Sequence, residues 1–195
     1  MPVTYTNRKG SRYFLCKGAT KTGKPRYYFA REQKGEPVAE VPHGYEIQES
    51  VNGVVSLVTV RPQLILPAEA ATVNAALKRH PNAGNYRSAV KNDQIIIYEV
   101  IGGGMESLRI LLREAGINGN GVEARLQALL DRHTRFTPVM RFILDDQETR
   151  EYRAERWSYL GSVDDWIDAG HSGKINELAK KLTPKLGTDE FFELY

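Results

Sequence analysis

Turn-forming residues divide this chain into pairs of short apolar runs, and that spacing constrains its fold more than any other feature. Asn52-Gly53 is the strongest signal, because both positions favour φ > 0 and the flanking runs carry Tyr, Ile and Val. Lys21-Thr22-Gly23-Lys24-Pro25 separates Arg12-Tyr13-Phe14-Leu15-Cys16 from Arg26-Tyr27-Tyr28-Phe29-Ala30. Asn92-Asp93 separates 86–90 from the Ile-rich 94–100, and Asp145-Asp146-Gln147-Glu148 separates 139–144 from 150–159. Each pair reads as an antiparallel hairpin.

Two-residue turns set the expected registers. A turn at Thr22-Gly23 pairs Lys17 with Tyr28, Cys16 with Phe29 and Leu15 with Ala30. One face then holds Phe14, Cys16, Tyr27 and Phe29, and the other Tyr13, Leu15, Lys17 and Tyr28. A turn at Asn52-Gly53 pairs Ile47 with Val58 and Val51 with Val54, placing Tyr45, Ile47, Val51, Val54, Val58 and Val60 together. The Ile95-Ile96-Ile97 run is apolar on both faces and predicts a central strand.

Helical periodicity fills the gaps. A helix over 67–80 opens on Pro67, gathers Val73, Ala76, Leu77 and His80 in one stripe, and stops at Pro81; His80 reads as a surface or helix-end residue and not as a metal ligand. Further helices are expected over 105–115, 122–133, 162–170 and 174–182. Ser162-Val163-Asp164-Asp165 resembles a capping box, with Trp166 and Ile167 as an apolar face folding back into the core. Hairpin pairs separated by helices predict an α+β fold with antiparallel sheets. The expected division is a basic β-rich region over 1–62 and a mixed region over 63–195 with helices packed on an antiparallel sheet, one continuous domain being the alternative.

Charge is unevenly spread. Lys and Arg total 27 against 24 Asp and Glu. Within 1–34, Arg8, Lys9, Arg12, Lys17, Lys21, Lys24, Arg26, Arg31 and Lys34 face Glu32 alone. A basic end on a near-neutral body is a cue for polyanion binding, its bland counterpart being a solubilising face. No apolar run approaches the ~18 residues of a membrane span, and the first residues show no apolar signal core. The lone Cys16 excludes an internal disulfide and a Cys-rich zinc site. These features predict a cytoplasmic protein without membrane contact.

Chemical motifs are sparse. Gly102-Gly103-Gly104 matches neither a dinucleotide nor a P-loop pattern. His43, His80, His133 and His171 lack metal-ligand spacing, and no serine sits in a nucleophile elbow. No cofactor or metal is therefore expected. The leading expectation is a non-enzymatic nucleic-acid-binding protein. Lys17, Lys21, Lys24, Arg26 and Arg31 would contact phosphates, and Tyr13 and Tyr28 would stack on bases or sugars. Two alternatives stand beside it. One is a divalent-metal nuclease using Asp93, Glu99, Asp145, Asp146 and Glu155. The other is a protein-interaction module, binding a partner or a second copy through Trp157, Tyr159, Trp166, Phe191 and Phe192.

Overall fold

A computed structural model of the chain describes residues 1–102, 110, 114, 134–160 and 163–194. The fold is α+β and dominated by antiparallel sheet. The chain divides into two compact units, Met1–Arg61 with Ile117–Thr134, and Pro62–Gly116 with Arg135–Tyr195. The expected helices over 105–115 and 122–133 lie outside the described residues, as do Gly103, Gly104 and Ser162.

The first unit is built around β2 (Arg12–Ala19). One edge of β2 pairs with β1 (Thr4–Thr6) and then with the short β4 (Glu36–Pro37); the other edge pairs with β3 (Pro25–Ala30). Leu15 and Cys16 point to opposite faces and are both fully buried, so each face of β2 is covered. A separate hairpin joins β5 (Tyr45–Glu49) to β6 (Val55–Thr59).

Three loops of this unit share one design. In the loops 7–11, 20–24 and 50–54, the fourth residue is Gly10, Gly23 or Gly53, with φ of 77°, 77° and 76°. Its N–H bonds back to the carbonyl of the first residue at 2.8–2.9 Å, and the first N–H reaches the fifth carbonyl at 2.8–3.0 Å. This is a type I turn closed by a left-handed glycine, the three-residue hairpin loop. The first side chain caps it: Asn7 Oδ1, Thr20 Oγ1 and Ser50 Oγ accept the fifth N–H from Ser11, Lys24 and Val54 at 2.8, 3.1 and 3.1 Å.

The glycine thus ends a three-residue loop instead of finishing a two-residue turn, and both expected registers move by one. Lys17 pairs with Tyr27, Cys16 with Tyr28 and Leu15 with Phe29. Ile47 pairs with Leu57, not Val58. A one-residue slip exchanges side chains between faces. Val60 and Val54 end up 54% and 60% exposed.

The second unit is a meander of five antiparallel strands in the order β11-β10-β9-β8-β7. The strands are β7 (Tyr86–Lys91), β8 (Gln94–Val100), β9 (Phe136–Asp146), β10 (Glu151–Leu160) and β11 (Val163–Gly173). Here the two-residue turn holds: Lys91 pairs with Gln94, and Asn92 takes φ of 55°. Between β9 and β10, Asp146 Oδ1 accepts the N–H groups of Glu148 and Thr149 at 2.8 and 2.9 Å. The helices α1 (Pro67–Lys78) and α2 (Ile175–Leu182) supply Val73, Leu77, Leu178, Ala179 and Leu182 to a core with Ile95, Ile97, Met140, Phe142, Tyr152 and Ala154. Burying each large apolar side chain contributes ~1.5–3 kcal/mol. A final short helix, α3 (Asp189–Phe192), buries Phe191 but leaves Phe192 61% exposed.

Two ties fix α1. Glu69 Oε2 accepts the Leu66 N–H at 2.8 Å, and Glu69 Oε1 accepts Arg150 Nε at 2.9 Å while a second Arg150 nitrogen bonds Oε2. At the other end His80 lies just past the helix, one of its two expected places, and is buried, not at the surface. Its Nδ1 accepts the Asn82 N–H at 3.0 Å, and Nε2 lies 3.1 Å from the Leu186 carbonyl.

The largest departure from expectation is 162–170. From Val163 this segment is β11, paired along β10 from Leu160↔Val163 to Tyr152↔Gly173. Eight or nine residues form a marginal helix in isolation. A neighbouring strand that offers Trp157 directly opposite Trp166 outweighs the capping pattern. Gly170, expected to end a helix, instead takes φ of 67° where the register shifts beside Ala169, which is fully buried.

Candidate nucleic-acid interface

The β2–β3 hairpin carries all the residues expected to bind polyanions, and the three-residue loop decides where they point. Lys21 and Lys24 lie in the exposed loop and Arg26 starts β3. None of these three side chains has an ion-pair partner among the described residues. Lys17 does: its Nζ is 3.7 Å from Glu36 Oε2, with both side chains substantially exposed. Arg31 lies over the Tyr13 ring at 5.9 Å and Arg12 over Phe14 at 5.2 Å.

The expected pair of stacking rings is not brought together. Tyr13 shares a face with Lys17, Tyr27, Phe29 and Arg31, whereas Tyr28 falls on the opposite face with Cys16 and Arg26. Tyr28 is also engaged elsewhere. Its hydroxyl donates to the Lys34 carbonyl, and its ring lies so close to Gly18 that an added Cβ there would sit 3.2 Å away. The slip puts Tyr27 where Tyr28 was expected. Tyr27 lines a shallow concavity of about 500 Å³ with Lys17, Gly18, Ala19, Gly23, Pro25 and Glu36. Its ring centroid is 6.2 Å from that of Tyr45.

Elsewhere in this unit acids neutralise the nearby cations. Glu49 accepts from Arg8 Nε at 2.7 Å, the Arg8 N–H at 3.1 Å and the Tyr5 hydroxyl at 3.0 Å. Burial favours its protonated form, but these donors outweigh burial and hold the carboxyl below the usual glutamate range. The same bond pushes the Tyr5 phenol up. The hairpin tip, by contrast, holds three exposed cations, Lys21, Lys24 and Arg26, with no carboxylate partner among the described residues.

Of the acids considered for metal catalysis, Glu155, Asp145, Glu99 and Asp146 are individually engaged. Glu155 pairs with Arg141 and Arg153, Asp145 with Arg153, and Glu99 accepts from Tyr86 at 2.9 Å. Asp146 is held below the usual aspartate range by the Thr149 and Glu148 N–H groups of its own turn. No group of three or more metal-ligating side chains occurs among the described residues. No helix there is long and apolar enough to cross a membrane. The Trp157, Tyr159 and Trp166 side chains do gather, on the sheet face opposite the helices. Arg141 joins them 4.4 Å above the Trp166 ring, an arrangement hidden from sequence because it spans three strands.

No protein-family model, no curated protein and no solved structure matches this chain.

Proposed function

We propose that the first unit binds nucleic acid without catalysing a reaction on it, through the tip of the β2–β3 hairpin. The observation that carries this reading is the exposed trio Lys21, Lys24 and Arg26, whose charges no carboxylate among the described residues offsets. Cations left uncompensated on an exposed loop contribute to phosphate binding by releasing condensed counterions. Tyr27 stands beside them with a partly exposed ring and supplies a stacking surface; Tyr13, already under Arg31, contributes less. The contacts are to backbone phosphate and to base faces, so binding is largely insensitive to sequence. The buried free thiol of Cys16 fits a reducing, cytoplasmic setting.

A titration of labelled single- and double-stranded oligonucleotides at several salt concentrations tests this. Replacing Lys21, Lys24 and Arg26 with Ala should weaken binding of all sequences and flatten the salt slope by ~0.7–0.9 for each phosphate no longer neutralised. Tyr27→Ala should weaken single-strand binding by ~1–3 kcal/mol for a stacked base, with Tyr28→Ala having less effect on the slope. An unchanged slope in the triple variant would remove the proposal. Degradation of the oligonucleotide with Mg²⁺ or Mn²⁺, abolished by EDTA, would replace it with the nuclease reading.

A further inference from the structure

The outer edge of the five-stranded sheet carries the opposite charge. Among the described residues β11 is an edge strand eleven residues long, so one side of its backbone has no strand partner. Asp164, Asp165 and Asp168 are exposed along it. Asp165 and Asp168 accept only backbone N–H groups, of Trp166 and Gly170 at 2.7 Å each. No cation among the described residues pairs with any of the three.

Asp164 and Asp168 flank Trp166 on one face of the strand, two residues away on either side. Trp157 stands directly across from Trp166, with ring centroids 5.1 Å apart in an edge-to-face arrangement. Tyr159 continues the row and is 60% exposed. This face already holds guanidinium groups, since Arg141 lies over Trp166 and bonds Glu155 Oε2 at 2.7 Å, and Arg153 bonds Glu155 Oε1 at 3.0 Å. Aromatic rings beside carboxylates thus bind a cation within the protein itself. The buried indole N–H of Trp157 has no acceptor among the described residues.

We propose that β11 is a docking edge for a basic, extended segment of another protein. The segment adds as a sixth strand, and main-chain hydrogen bonds along β11 supply affinity. Alternate Arg or Lys side chains of the segment meet Asp164 and Asp168 and lie against Trp166. Charge complementarity selects this occupant: three uncompensated aspartates repel a polyanion, so the surface is distinct from the hairpin tip. Edge strands invite pairing, and acidic side chains restrict which partners pair.

The chain's two tryptophans both lie here, so indole emission reports on this surface alone. The probe is a nine-residue peptide alternating Arg with Thr, added to the full chain at low salt. We expect a saturable change in emission. Asp164→Asn with Asp168→Asn should lower affinity at least tenfold without changing the melting temperature. A peptide of equal charge, N-methylated at alternate amides, should bind at least tenfold more weakly, because it cannot complete the strand ladder. Equal binding by the N-methylated peptide overturns strand addition, and equal binding by the double variant overturns the role of the aspartates. A dimer of the protein that dissociates on the double substitution shows a second copy on this edge and overturns the assignment to another protein.

Discussion

Among the described residues, each unit carries one cluster of charges without an ion-pair partner, and the two clusters differ in sign. In the first, Glu49 holds Arg8, Glu36 meets Lys17 and Glu32 meets Lys34, while Lys21, Lys24 and Arg26 have no ion-pair partner at a hairpin tip. In the second, four arginines are engaged: Arg141 and Arg153 by Glu155, Arg150 by Glu69, and Arg156 by the carbonyls of Leu194 and Phe192 at 3.1 and 3.0 Å. There Asp164, Asp165 and Asp168 remain. Charges inside the sheet and at its packed edges hold the fold; charges at a loop tip and along an edge strand do not. The contrast separates structural from available charge better than net charge does, because the chain as a whole is only +3.

The largest effect is expected at a buried structural pair that also holds a helix end. Glu69 and Arg150 have side chains 11% and 26% exposed, and Glu69 also holds the first turn of α1. Removing one partner of a buried pair strands the other, so Glu69→Ala should cost about 3 kcal/mol, the low end of the range for such pairs because Arg150 keeps some solvent. In a chain of this size that is roughly 6–12 °C in melting temperature. Arg150→Ala should behave similarly, and the double variant should cost less than the sum. Melting temperatures unchanged in both single variants would place this pair with the available charges and break the contrast.

The same pair predicts an acid limit. Burial raises the Glu69 pKa, but the Arg150 guanidinium, the Tyr152 hydroxyl and the Leu66 N–H outweigh it and leave the carboxyl below the usual glutamate range. A carboxyl lowered by folding contributes stability that is complete above its unfolded value of about 4.3 and is lost as the pH falls through its folded value. Stability should therefore decline below about pH 4, and Glu69→Gln should flatten that decline while lowering stability at neutral pH. Parallel acid profiles for the two proteins would assign the acid limit to other carboxylates.

The hairpin loops give the next effect. Gly53 and Gly23 have the same left-handed φ, where an L side chain costs ~1–2 kcal/mol. A Cβ on Gly23 meets open space, whereas one on Gly53 would lie 3.0 Å from Asn7 Nδ2 and 3.2 Å from Lys9 Cδ. Gly23→Ala should show the backbone cost alone, and Gly53→Ala that cost plus displacement of Asn7, whose Nδ2 donates to the Gly53 carbonyl at 2.6 Å. Chemical denaturation compares them directly; equal costs would mean that Asn7 moves freely.

These loops also show what could be read in the chain. Turn residues marked the positions of four hairpins, because glycine and asparagine announce φ > 0 wherever it is needed. They did not reveal register. Thr20-Lys21-Thr22-Gly23 and Ser50-Val51-Asn52-Gly53 close as three-residue loops because a Thr or Ser at the first position accepts the fifth N–H. The cations of the candidate interface were legible, since a loop tip stays exposed in either register. Its aromatic ring was not, since one residue of slip exchanged Tyr28 for Tyr27. The acidic edge was hidden for another reason: Ser162-Val163-Asp164-Asp165 has the local chemistry of a helix start, and only the cross-strand Trp157–Trp166 pairing overrides it.

The smallest predicted effect is the most discriminating. Surface charges without partners contribute within about 0.5 kcal/mol of nothing to stability, roughly 1–2 °C here. Replacing Lys21, Lys24 and Arg26 with Ala, or Asp164 and Asp168 with Asn, should thus leave melting and denaturant midpoints nearly in place. Small gains are more natural than losses, because each set removes repulsion between like charges in close sequence. Lys17→Ala provides the control, since its exposed pair with Glu36 should contribute no more than ~0–1 kcal/mol. If either set of substitutions costs as much as Glu69→Ala, those charges hold structure, and the surface that carries them loses its claim to be a binding site. If both sets are neutral for folding while the first abolishes oligonucleotide binding and the second abolishes peptide binding, one chain presents two surfaces of opposite sign, each kept free of internal partners.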